Sequence, residues 1–188
     1  MGTERLETFS DGVMAVIITI MVLNLKVPTG ASIHDLRIIM PGLLIYALSF
    51  RVIGTFWNNH HNLLRATKTI DARIMWANLV FLFTLSIIPY FTAWFGQHYT
   101  SAIPTAAYAT ALLVAGVGYN LLLRSILASD GADMHMRRVV GKDFKGSVSL
   151  LCYTVSIPLA FVSSWFSIAL FIVVASIWLI PESRFKKA

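Results

Sequence analysis

Few side chains in this 188-residue sequence could do chemistry, and most of them stand in two stretches. The first, Arg5 to Pro28, reads RLETFSDGVMAVIITIMVLNLKVP and carries Asp11 with hydroxyls at Ser10 and Thr19. The second, FWNNHHNLL at residues 56–64, carries Trp57 and the adjacent pair His60 and His61. Two histidines invite a metal site. On a helix, however, neighbours point about 100° apart, whereas chelating pairs stand three or four residues apart on one face. No cysteine is near, and any carboxylate would have to come from another helix, so no metal centre is expected. One histidine is expected to hydrogen-bond inside a helix bundle and the other to face an aqueous interface, with the Trp57 indole as a further donor. Cys152, the only cysteine, lies in an apolar run, which excludes an internal disulfide and a zinc cluster. There is no Ser-His-Asp set, no GxSxG, no HExxH and no phosphate loop. Asp11 is the one carboxylate inside an apolar run, and one carboxylate cannot run paired acid–base chemistry. An enzyme is not expected.

The elements that must position these groups are membrane helices. The chain is 57% hydrophobic and only 13% charged, with a mean hydropathy of +0.72, whereas a soluble domain carries about 25% charged residues. Its apolar runs are continuous, unlike the alternating segments of an outer-membrane barrel. Six runs are long enough to span, at 8–27, 38–62, 74–96, 104–127, 145–163 and 166–181. They predict a single all-α, six-helix domain over 1–188 with short connections. Pro28 and Gly30 close the first helix, and Pro41 falls in the first turn of the second. Pro89 and Pro158 are expected to kink the third and fifth, and Pro181 ends the sixth. A signal peptide is not expected, because Glu4, Glu7 and Asp11 outweigh Arg5 ahead of the first run. The net charge of +6 reads as topology and not as nucleic-acid binding. With the N-terminus cytoplasmic, twelve of the fifteen Lys and Arg residues fall on the inner side. Lys26 and Arg37 fall outside and Arg51 falls within helix two, which places both termini inside. Trp94, Trp165 and Trp178 suit an interfacial aromatic belt.

Arg51, about halfway along helix two, requires a partner or a route to water; the sequence leaves a carboxylate and a snorkelled position equally open. In helix four, AGVGYN at 115–120 places Val117-Gly118-Tyr119 like part of the filter loop of ordinary potassium channels. That loop needs an extended backbone with a threonine first and a glycine last, and here Gly116 and Asn120 occupy those places. Small residues permitting close helix packing are the better reading. In helix one, at about 100° per residue with Val16 at zero, Thr19 falls near 300°, Ile20 near 40°, Leu23 near 340° and Val27 near 20°. These make one apolar stripe with a hydroxyl on its edge, while Asp11 falls near 220°, toward neighbouring helices. Core packing is the plainer reading of such a stripe by periodicity alone. Thr8-Phe9-Ser10-Asp11 also fits a capping pattern that would put Asp11 at a helix N-terminus.

The first stretch, with Arg5, Phe9, Ser10 and Asp11 in an Arg-x-x-x-Phe-Ser-Asp arrangement, resembles the transmembrane protein 175 family of potassium channels, in particular its bacterial members. SFRVIGTFWNNHH adds Trp57 and His60, and six runs of fitting size extend the resemblance over the chain. The resemblance implies a homotetramer in the lipid bilayer with the first helix of each subunit around a central pore. It implies a pore constriction at Val16, Ile20 and Leu23, a pore hydroxyl at Thr19, and an inter-helix network joining Arg5, Phe9, Ser10 and Asp11 to Trp57 and His60. It further implies potassium conduction weakly favoured over sodium, no cofactor beyond the permeating potassium, and a prokaryotic plasma membrane. Val16 is smaller than the family's usual residue, and Arg51 stands where the family is apolar. The other readings are a proton-coupled secondary transporter using Asp11 and His60, and a non-conducting scaffold; no internal repeat favours the transporter.

Overall fold

The computed structural model describes residues 2–67, 69–129 and 143–179. Within them the chain is helical: α1 (Thr3–Leu23), α2 (Ile33–Arg65), α3 (Ala72–Ser86), α4 (Ile88–Gln97), α5 (Ala102–Leu127), α6 (Phe144–Val162) and α7 (Ser164–Ile177). The α3–α4 pair forms one broken span of 26 residues, Ala72–Gln97. Among the described residues, five segments are long and apolar enough to cross a membrane, where the sequence predicted six. The sixth, α7, has 14 residues, about 21 Å of helix against a hydrocarbon layer of about 30 Å. Pro181 and the basic residues Lys68, Arg137, Arg138, Lys142, Arg184, Lys186 and Lys187 of the topology argument lie outside the described residues.

Helix boundaries follow capping chemistry. α1 begins five residues before the expected start, on an extended Gly2, so Arg5, Glu7 and Asp11 are all inside it. The expected cap at Thr8 is therefore absent: the Thr8 hydroxyl donates back to the Glu4 carbonyl at 2.9 Å, within the helix. At its other end α1 stops at Leu23 and Asn24 caps it by donating to the Ile20 carbonyl at 3.2 Å. Val27 thus leaves the helical stripe, because the residue ahead of Pro28 is pushed toward extended backbone. A reciprocal cap does form at α2, where the Ser32 N–H donates to Asp35 at 3.0 Å and the Asp35 N–H donates to the Ser32 hydroxyl at 3.3 Å. This starts α2 at Ile33, leaving Pro41 in its interior and not in its first turn. α3 ends at Ser86, three residues before Pro89, which lies in the first turn of α4. Pro158 lies inside an unbroken α6.

α5 forms the centre of the bundle, packed against α3, α4 and α6, with Tyr108, Leu112, Ala115, Leu122 and Ile126 fully buried. Its 115–120 segment is regular helix, without the extended backbone a filter loop requires. A Cβ on Gly118 would meet the Thr84 Oγ1 at 2.8 Å and the Phe81 Cα at 3.4 Å, and one on Gly116 would meet the Leu150 side chain at 2.8 Å. These glycines let α3 and α6 approach α5 closely. α6 and α7 turn on Ser163 alone and are joined by hydrogen bonds from Ser167 to the Ser156 carbonyl (2.8 Å) and from the Trp178 indole to the Ser149 hydroxyl (3.0 Å).

Arg51 finds a partner that is not a carboxylate. Its Nη2 donates to the backbone carbonyl of Trp178 at 3.0 Å, and Trp178 caps the C-terminus of α7. Lys145 adds a second cation, 5.6 Å from the Trp178 ring. A helix C-terminus leaves carbonyls without intrahelical donors and carries partial negative charge, so a guanidinium is favourable there. α2 is 33 residues long, about 50 Å, so half of its length is not half of a bilayer.

Candidate functional site

α1 has two faces with different work. Leu6, Ser10, Met14, Ile17 and Met21 recur at steps of three and four and are buried, against α2, α3 and α4. The opposite face stays bare: Val16 is 57% exposed, Ile20 44% and Leu23 77%. Thr19 lies on the same exposed face, and its hydroxyl donates to the Ala15 carbonyl at 2.9 Å. The proton is thereby spent within the helix, and the oxygen lone pairs remain available to a cation. Single-chain core packing, the plainer reading of the stripe, does not describe these positions.

The N-terminal half of α1 is tied to α2 and α3 by side chains. The fully buried Ser10 donates to the Leu6 carbonyl at 2.8 Å and accepts from the Asn78 Nδ2 at 3.0 Å. Asn78 Oδ1 in turn lies 2.7 Å from the His60 Nε2. An amide oxygen only accepts, so His60 carries its proton on Nε2 in this arrangement, and each donor in the chain has one acceptor. His60 is fully buried and stacks on Phe81, with ring centroids 5.7 Å apart. One layer further out, the Trp57 indole donates to the Asp11 Oδ1 at 2.9 Å. Trp57 stacks on His61, and the His61 Nδ1 lies 2.6 Å from the Glu7 Oε1.

Ser10, Asp11, Trp57 and His60 therefore meet at one junction, with Asn78 as the link between Ser10 and His60. Arg5 and Phe9 do not join it. Arg5 is exposed and makes no hydrogen bond or ion pair among the described residues, and Phe9 is 50% exposed. Reasoning from sequence missed Asn78 and Glu7 as site residues, and named His61 only as one of two histidines of which one was expected at an aqueous interface. Asn78 had a signal, as the lone amide in the apolar run ANLVFLFTLS. The pairing of Glu7 with His61 had none, because it depends on how α1 lies across α2.

These features define a multi-pass helical membrane protein whose first helix is anchored at one end and bare along one face. Comparison with known proteins gives the same picture. Residues 5–89, which hold both stretches, match the model of the endosomal/lysosomal potassium channel TMEM175 family. A protein named as a potassium channel from Chryseobacterium sp. (strain P1-3) is 40% identical over 188 residues, covering 100% of this chain and 98% of the relative. Another potassium channel, from Chamaesiphon minutus (strain ATCC 27169 / PCC 6605), is 29% identical over 92% of this chain and 91% of its own. The crystal structure of a lysosomal potassium-selective channel TMEM175 homolog from Chamaesiphon minutus superposes with a TM-score of 0.84 and 27% identity, over 95% of this chain and 96% of that one. The chain belongs to the TMEM175 family.

Proposed function

We propose that four copies of this chain assemble around α1 into a potassium channel, weakly selective over sodium, with Val16, Ile20 and Leu23 forming a hydrophobic constriction. The relatives named as potassium channels support the ion. The observation that carries the mechanism is the bare stripe: Leu23 is 77% exposed on a helix whose opposite face is buried in its own subunit. Closed symmetry turns one such stripe into stacked rings. A narrow apolar ring blocks ions by dewetting, and slight widening restores water and conduction. Thr19 adds a ring of hydroxyl oxygens that replaces part of the potassium hydration shell, and the ion needs no bound cofactor. The junction of Ser10, Asp11, Trp57 and His60 holds the cytoplasmic half of α1, so that the constriction keeps its register. In this reading α7 completes six spans in a prokaryotic plasma membrane with both termini cytoplasmic.

The test is ion flux through purified protein in liposomes under a potassium gradient, with sodium and proton gradients alongside. Potassium flux exceeding sodium flux is expected. Absence of flux for every ion, or saturable uptake coupled to protons, overturns the proposal.

A further inference from the structure

The junction also gathers the donor set of a metal site. Glu7 and Asp11 stand one turn apart on α1 and so share a face; His61 comes to them from α2. One ligand atom from each of Glu7, Asp11 and His61 lies within 4.8 Å of the other two. The sequence argued against a metal because carboxylates would have to arrive from another helix, and α1 brings two. We propose that Glu7, Asp11 and His61 bind one first-row divalent transition-metal ion, of the zinc, cobalt or manganese class, which clamps α1 to α2.

Four observations support the site. Among the described residues, no Lys or Arg comes within ion-pair distance of either carboxylate. The His61 Nδ1 is shielded from solvent and lies 2.6 Å from the Glu7 Oε1, yet it makes no aligned hydrogen bond. The donors are held in place: the Trp57 indole fixes one oxygen of Asp11, and its ring stacks on His61 with centroids 5.9 Å apart. Such outer contacts orient metal ligands. Finally, the Glu7 and His61 side chains are 20% and 31% exposed, which sets the cluster close to the protein surface.

The chemistry selects the ion. One imidazole nitrogen with two carboxylate oxygens suits borderline divalent metals, and three protein donors leave positions for water. At metal–ligand distances of about 2.0–2.2 Å, donors around one tetrahedral ion stand about 3.3 Å apart. The three donors now lie within 4.8 Å of one another, so binding draws them together by up to about 1.5 Å. The site does not depend on whether the protein conducts.

The test uses tag-free protein in detergent, titrated with Co²⁺ and read by visible absorption and calorimetry. Saturable binding of one ion per chain is expected. Glu7→Gln and His61→Gln should each weaken it at least tenfold while leaving the elution profile unchanged, and His34→Gln, remote from the site, should leave binding unchanged. Co²⁺ should also raise the melting temperature of the unsubstituted protein and not that of His61→Gln. Anomalous scattering from Co²⁺-soaked crystals should place the ion between the three side chains, an answer independent of how the variants fold. No saturable binding, binding that survives both substitutions, or an ion located elsewhere overturns the proposal.

Discussion

Replacing Asn78 with alanine removes the link between α1 and α2 at its most buried point. The substitution deletes two hydrogen bonds, to the His60 Nε2 at 2.7 Å and to the Ser10 hydroxyl at 3.0 Å, in a place where all three residues are fully buried. Side-chain hydrogen bonds within membrane proteins average about 0.6 kcal/mol and reach about 1.7. The larger cost lies in what is left behind. His60 Nδ1 already lacks a hydrogen-bond partner, so losing Asn78 strands both ends of a buried ring, and one unsatisfied buried donor costs about 1–3 kcal/mol. These contributions overlap, and together they give a destabilisation of about 2–4 kcal/mol. By contrast, Trp57→Phe deletes a bond in an exposed setting and should cost under about 1 kcal/mol. Reversible unfolding in mixed micelles, followed by tryptophan fluorescence, measures both. An Asn78→Ala change below about 0.5 kcal/mol, or a Trp57→Phe change exceeding it, would refute the view that the buried layer carries the anchor.

Other substitutions probe separate parts of the account. Gly118→Ala places a Cβ 2.8 Å from the Thr84 hydroxyl and 3.4 Å from the Phe81 backbone; overpacking of this kind costs about 1–3 kcal/mol, and an unshifted unfolding midpoint would show that α3 and α5 have room to part. Arg51→Met removes the guanidinium from the α7 C-terminus and should cost about 1–2 kcal/mol, measured the same way; equal stability would make that hydrogen bond idle. Thr19→Val keeps the side-chain volume but removes the exposed hydroxyl. Potassium flux in liposomes should persist while the potassium-to-sodium ratio falls, and an unchanged ratio would remove Thr19 from ion recognition.

What could be read from the sequence, and what could not, divides along a physical line. Long apolar runs report lipid contact and helix directly, and the glycines at 116 and 118 could be read as close-packing sites because nothing else suits a helix interior there. Helix ends were harder. Thr8 looked like a cap because the capping pattern is local, whereas the helix had already begun at Thr3 in a segment with enough helix formers to continue. Arg51 was opaque because its partner is a backbone carbonyl 127 residues away, and a carbonyl leaves no mark on composition. The anchor was half legible: Ser10, Asp11, Trp57 and His60 stood out as polar groups in apolar surroundings, but Asn78 was needed to join Ser10 to His60. Glu7 looked like an ordinary charge at a helix end and His61 like half of a non-chelating histidine pair, until the crossing of α1 over α2 put 2.6 Å between them.

The central claim is that the bare stripe of α1 is the barrier to ions. Its most direct test is the flux of potassium and sodium through Leu23→Ala in liposomes, set beside the unsubstituted protein. Leu23 is 77% exposed on the single chain, so its truncation should barely disturb the fold; it should widen the proposed apolar ring at this position, raise leak and lower the preference for potassium. Flux and ion preference equal to those of the unsubstituted protein would contradict the account.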